Sequence, residues 1–151
     1  MIDAARAREL LAGVAGVTIG AASSPITVQV PAEQWLEVAR LAKDILGCAF
    51  FNFLTAIDWK EQGLEVVAWV DNLDDRFSVE LRTTLGVGQT VCPSLVPVYR
   101  GAGWMERECF DMFGVQFAGH PDLRRILLGD DWEGHPLLKS YAVDTPHPPY
   151  R

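Results

Sequence analysis

What this chain lacks narrows it first. Cysteine is scarce: Cys48, Cys92 and Cys109 are the three in 151 residues, and no two form a CxxC pair. That argues against a disulfide framework, a zinc ribbon or an iron–sulfur ligand set, and favours buried thiols in a reducing compartment. Long apolar runs are missing too. No stretch of about 18 apolar residues exists, so no bilayer-spanning helix is expected. Positive charge is in deficit: 13 Lys and Arg stand against 20 Asp and Glu, a net charge of −7. Phosphate backbones are repelled by such a chain unless it has a basic patch, and none is visible. Neither GxGxxG nor GxxxxGK[ST] occurs, and Ser23, Ser24 and Ser94 lack a nucleophile context. The start, Met1 to Arg6, has neither the basic region nor the apolar stretch of a signal peptide, so a cytoplasmic location is expected, free or docked on a larger assembly.

What is present is one domain's worth of core, with 49% of residues apolar. Residues 2–12 read as a helix that Gly13 and Gly16 end. Ile26 to Val30 alternates and is β-branched, as in a strand. Pro31 then suits a helix start, and Trp35, Ala39, Ala42 and Leu46 recur at helical spacing up to Gly47. Phe50 to Trp59, Leu64 to Val70 and Arg76 to Leu85 read as three strands. The turns between them are short and polar, which makes them antiparallel neighbours. The order predicts an α+β fold: helices packed on one face of a small, mainly antiparallel sheet. Gly86 to Gln89 is loop-like, and Pro93 and Pro97 predict an irregular approach to a helix over 102–113, with Gly114 as its cap.

From residue 115 the chain reads as loop to its end, and five of its nine prolines lie there. Phe117, Leu123, Ile126, Leu127, Leu128, Trp132, Leu137, Leu138 and Tyr141 make it too apolar for a disordered tail. The expected division is therefore a globular domain over 1–114 and an extended, partner-wrapping tail over 115–151.

The densest polar cluster is Glu106-Arg107-Glu108 with Asp111. At helical spacing Arg107 and Asp111 face each other, and Glu108 and Asp111 share a side. A metal site or a carboxylate pair for acid–base work is one reading, with His120 as a further ligand. HExxH, HxH and ExxH are absent, however, and the histidines sit on proline-flanked loops. Gly119-His120-Pro121 and Gly134-His135-Pro136 repeat one device. Glycine permits a sharp turn, proline stiffens the chain, and a stiff segment loses less entropy on docking. The structural reading carries more weight: the acids hold arginines across an interface and fix the path of the loop that follows.

The same residues carry a family resemblance. Glu106-Arg107-Glu108, Asp111, Gly114, Phe117, Gly119-His120-Pro121, Leu123 and Arg124-Arg125 follow a spacing similar to that of the 30 kDa (or C) subunit of respiratory complex I. Asp131-Trp132, Gly134-His135-Pro136 and Lys139 continue it. Leu138 and Ser140 depart from it, standing where the family usually has arginine and aspartate. The resemblance covers residues 50–141. It implies a cofactor-free, non-catalytic subunit of a proton-translocating NADH:quinone oxidoreductase, peripheral on the cytoplasmic side of the membrane. The residues just named would then form a partner interface, with no catalytic, cofactor or metal ligands among them. FMN and iron–sulfur clusters would lie in partners: the quinone-site large (D or 49 kDa) subunit binds nearby, with small iron–sulfur subunits beside it. Two alternatives stand. The same subunit type serves membrane-bound energy-converting hydrogenases and ferredoxin-fed complexes. From a different class, a free-standing metal-dependent enzyme would use Glu106, Glu108, Asp111 and His120.

Overall fold

The structure, a computed structural model, describes residues 1–22 and 24–144. Ser23 and the far end of the expected tail, with His147 and Pro146, Pro148 and Pro149, lie outside the described residues. Helix α1 spans Ala4–Ala12, and the Asp3 carboxylate accepts the Arg6 amide at 2.7 Å to cap it. Strands β1 (Thr18–Ile19) and β2 (Ile26–Gln29) follow. One 3₁₀ turn, Ala32–Gln34, leads into α2 (Trp35–Arg40), which ends in a wider π turn over Leu41–Ile45. Three longer strands come next: β3 (Phe50–Asp58), β4 (Leu64–Asn72) and β5 (Phe77–Thr84). They precede β6 (Val91–Pro93), α3 (Ala102–Phe113) and β7 (Gln116–Ala118).

The main sheet has five strands in the order β1-β2-β5-β4-β3. Only the β2–β5 pair is parallel; the remaining three pairs are antiparallel. Period-two alternation sets its two faces. Phe77, Val79, Leu81 and Thr83 of β5 are buried, whereas Ser78, Glu80 and Arg82 are half-buried. Phe77, Val79 and Leu81 join Ala7 and Leu11 of α1 and Trp35, Val38 and Ala39 of α2 in one core. The other face carries a side-chain network. Asp71 accepts from Asn52, Trp69 and Ser78, and Arg82 donates to Glu65 and Glu80.

α3 runs beside β3, the last strand of the sheet, and the Leu54 amide donates to the Met105 sulfur at 3.1 Å. A helix thus covers an edge that would otherwise present open amides. Three short strands depart from the sequence reading. β1 was not marked by any pattern, β6 lies in the stretch expected to be irregular, and β7 lies in the expected loop. β6 and β7 pair in parallel, Val91 with Gln116 and Pro93 with Ala118. Strands of two or three residues carry no periodicity of their own; a distant partner makes them.

Candidate partner interface

The stripe that α3 buries recurs every three or four residues: Ala102, Glu106, Cys109, Met112 and Phe113, with Asp111 beside it. A glutamate in the middle of an apolar stripe requires internal partners. Glu106 has no exposed surface, and it accepts the Ser94 hydroxyl and the Leu95 amide, both at 2.6 Å. Its carboxylate thereby closes the loop between β6 and α3, while the Ser94 amide donates to Ala118 O on β7. Burial pushes the Glu106 carboxyl above its ordinary value, and the Ser94 and Leu95 bonds and nearby His120 hold it back only in part.

His120 sits over the start of the helix. Its Nδ1 accepts the Asp122 amide at 3.0 Å, which leaves the Nε2 proton to donate to Gly103 O at 2.9 Å. Nε2 is also 4.0 Å from Glu106 Oε2.

The other end of α3 is built differently. Gly114 takes the left-handed conformation, φ 77°, and its N–H donates to Phe110 O. Asp111 is fully buried, and its Oδ2 accepts three consecutive amides: Ile126 at 3.1 Å, Leu127 at 2.8 Å and Leu128 at 3.0 Å. Its Oδ1 accepts Arg125 Nη1 at 2.7 Å. Burial alone would push the Asp111 carboxyl up; the guanidinium and the three amides outweigh it and hold it below its ordinary value.

Arg125 also reaches forward, donating through Nη2 to Trp132 O and Gly134 O, each at 2.9 Å. A helix leaves its last carbonyls without helical partners. Here His135 Nδ1 bonds Asp111 O at 3.0 Å and the Leu137 amide bonds Met112 O at 3.0 Å. A β-carbon on Gly114 would lie 2.8 Å from the His135 ring, so glycine is required by space as well as by φ. The two Gly-His-Pro turns thus fasten the irregular segment to opposite ends of one helix.

Two sequence expectations fail at close range. Arg107 does not pair with Asp111. It donates instead to Arg124 O at 3.1 Å and Arg125 O at 2.9 Å, and its guanidinium lies 5.4 Å from the centre of the Trp104 ring. Glu108 and Asp111 do not share a site, because Glu108 is exposed whereas Asp111 is buried. Among the described residues no group of three or more His, Cys, Asp or Glu side chains could hold a metal ion. Nor, among them, is any helix long and apolar enough to cross a membrane.

The remaining expected residues scatter along the segment. Phe117 is buried in β7, and Leu123 is partly buried against the core. Arg124 is exposed and pairs with Asp122 at 3.0 Å. Gly119 has φ 84° with open space beside it, and Pro121 and Asp131 are exposed. Trp132 and Pro136 are half-buried. Gly134, φ 85°, packs against the Tyr141 ring. The Lys139 amide donates to Asp58 Oδ2 at 2.8 Å, which tethers the far end of the segment to the end of β3. That bond leads the contacts that lower the Asp58 carboxyl below its ordinary value. Leu138 and Ser140 line a cleft of about 490 Å³ together with Asp58, Lys60, Glu61 and Lys139. Sequence reasoning missed Ser94 and Leu95 as partners of Glu106 and gave Trp104 no role. A glutamate at a core position of the α3 stripe was the available signal for the first.

The chain matches the family described as respiratory-chain NADH dehydrogenase, 30 Kd subunit, over residues 28–147. It is 40% identical over 121 residues to the C subunit of the NADH-quinone oxidoreductase of Rhodobacter capsulatus, an alignment covering 78% of this chain and 61% of that protein. It is 36% identical over 129 residues to the corresponding C subunit of Citrifermentans bemidjiense, covering 83% and 80%. Against the fused C/D subunit of Phocaeicola vulgatus the identity is 36% over 115 residues, 76% of this chain and 22% of that protein. Two solved structures share the fold at 22% identity and TM-score 0.68. One is the trypsin-resistant fragment (1–134) of Nqo5, covering 79% of this chain and 98% of that one. The other is a chain of an archaeal membrane-bound sulfane sulfur reductase, covering 83% and 75%. A match that runs from β2 through α3 and the segment fastened to it leaves one assignment: this chain belongs to the family of the 30 kDa subunit of respiratory-chain NADH dehydrogenase.

Proposed function

We propose that this chain is an accessory subunit of the peripheral arm of a proton-translocating NADH:quinone oxidoreductase. In this reading it binds no cofactor and docks on the cytoplasmic side of the membrane against the quinone-site large subunit and small iron–sulfur subunits. Electrons pass from NADH through FMN and iron–sulfur clusters in those partners to quinone. One observation carries the reading: Arg107 and Asp111 of α3 are bonded to the backbone of residues 124–128, and their effect is to hold an irregular segment, 119–141, in one shape. Such an arrangement presents a surface. The Glu106, Asp111 and His120 side chains already have partners, which disfavours the metal-dependent enzyme. The fused C/D relative supports the large subunit as neighbour, since one chain there carries both names. A chain of an archaeal membrane-bound sulfane sulfur reductase has the same fold, and genes for flavin- and NADH-binding subunits beside this one would separate the two readings.

The test is affinity capture of this chain from its own cells in mild detergent, with partners identified by mass. The large quinone-site subunit and small iron–sulfur subunits are the expected companions. A chain that elutes alone with stoichiometric zinc, iron or manganese, lost on Glu108→Ala, would overturn the accessory role.

A further inference from the structure

The two Gly-His-Pro turns match in sequence, but their imidazoles are bonded in opposite senses. His120 Nδ1 faces an N–H, that of Asp122 at 3.0 Å, so it is the bare nitrogen, and Nε2 carries the proton that goes to Gly103 O at 2.9 Å. His135 Nδ1 faces a carbonyl, Asp111 O at 3.0 Å, so there Nδ1 carries the proton and Nε2 is bare. A second proton therefore has different consequences at the two sites. On His120 it goes to Nδ1, where two donors then face each other, and the Asp122 bond is lost. On His135 it goes to Nε2, which makes no hydrogen bond among the described residues, while Nδ1 keeps its carbonyl in the last turn of α3, the end of a helix that favours positive charge.

The charges around each ring agree with this. The His120 side chain is only 3% exposed, and Glu106 of α3, its Oε2 4.0 Å from Nε2, attracts an imidazolium. The segment itself brings Asp122 and Arg124, which pair with each other at 3.0 Å, and Arg107 of α3 is turned to the Arg124 and Arg125 carbonyls. β7 meets the turn through Phe117 O, which accepts the His120 amide. Around His135 the charged groups are Asp111 and Arg125, which pair at 2.7 Å, and the ring lies edge-on to Phe110. We propose that Gly119-His120-Pro121 is an acid-released clasp and Gly134-His135-Pro136 an acid-stable one, so that falling pH loosens the turn over the start of α3 while the far end of the segment stays fastened. Arg107 confines the release to the turn, because its two carbonyl bonds at residues 124 and 125 do not titrate with the ring.

The experiment follows the full chain by NMR from about pH 8 to about pH 5, the range over which histidine changes charge. Ring nitrogen shifts report the neutral tautomers, and Nε2–H on His120 with Nδ1–H on His135 is the expected result. As the His120 ring titrates, the Asp122 amide is expected to lose about tenfold of its protection against hydrogen exchange, corrected at each pH for the intrinsic rate, which is the worth of one hydrogen bond. The Leu137 amide, bonded to Met112 O, keeps its protection. In His120→Asn a side-chain oxygen that does not titrate takes the acceptor's place, since asparagine bonds the amide two residues on. Asp122 protection is then independent of pH. The opposite tautomer on His120, a ring that stays neutral down to about pH 5, or Asp122 protection that does not follow the ring overturns the clasp. Equal loss at Leu137, or the wild-type loss persisting in His120→Asn, overturns it as well.

Discussion

The two ends of α3 solve the same problem, a carboxylate with no access to water, in opposite ways. Glu106 accepts two hydrogen bonds, from a neutral hydroxyl and one amide, and among the described residues it forms no ion pair with an arginine or lysine, His120 Nε2 lying 4.0 Å away. Asp111 accepts three amides and a guanidinium. Burial wins at the first, whose carboxyl is raised; the donors win at the second, whose carboxyl is lowered. The difference shows what each is for. Glu106 tightens a loop that β6, β7 and the helix already flank. Asp111 organises a segment with no regular structure of its own, which needs a stronger organising charge.

Asp111→Ala breaks the comparison most severely. It leaves three amides without their acceptor and Arg125 without its carboxylate partner, and breaking a buried pair of this kind costs about 3–5 kcal/mol. Denaturant unfolding measures that loss. Trypsin should then cut after Arg124 and Arg125 in the variant and spare them in the wild type. Unchanged cleavage would show that the segment is held chiefly by its apolar contacts.

Gly114→Ala tests the same end through space instead of charge. A positive φ for alanine and a β-carbon 2.8 Å from the His135 ring together cost about 2 kcal/mol. Adding His135→Ala should recover part of that loss, because the clash goes while the backbone strain stays. A double variant no more stable than Gly114→Ala would assign the whole cost to φ.

Glu106→Gln should have the smallest effect, about 1 kcal/mol or less near neutral pH, because the amide keeps the shape and can still accept the Leu95 N–H. Its effect on pH dependence is larger in sense than in size. A carboxyl raised on folding favours the folded state below its unfolded pKa of about 4.3, and that contribution is lost as pH rises through the folded value. Asp111, lowered on folding, contributes stability above about pH 3.9 that is lost as pH falls through its folded value. Melting curves from about pH 3 to about pH 7 should therefore rise relative to wild type at the upper end for Glu106→Gln, and flatten at the acid end for Asp111→Asn. Parallel curves for all three proteins would contradict the opposite shifts.

Much of the frame was legible because its signals are local. β3, β4 and β5 announced themselves by alternation and polar turns, and α3 matched the predicted 102–113 with Gly114 at its end. The Glu106-to-Lys139 spacing carried the family, which the comparisons then showed. The pairing of the charges was not legible. Helical spacing put Arg107 opposite Asp111, yet an arginine that can reach two backbone carbonyls and a tryptophan face gains more there than from a surface pair along its own helix. Nor was the attachment of the segment after Gly114. It crosses the expected boundary at 114 and 115 through bonds such as Arg125 to Asp111 and Lys139 to Asp58, whose ends are 14 and 81 residues apart.

By itself, then, the sequence determined an α+β layer, a helix ending at Gly114, and a stiff, apolar segment beyond it, because alternation, helical spacing, glycine and proline act within a few residues of themselves. Only the tertiary structure decided that the charges of Glu106 and Asp111 point inward. A buried carboxylate takes whatever donors the fold brings to it: Glu106 takes Ser94 and Leu95 from the loop before the helix, and Asp111 takes its donors from the segment that the charge was expected to send toward a partner.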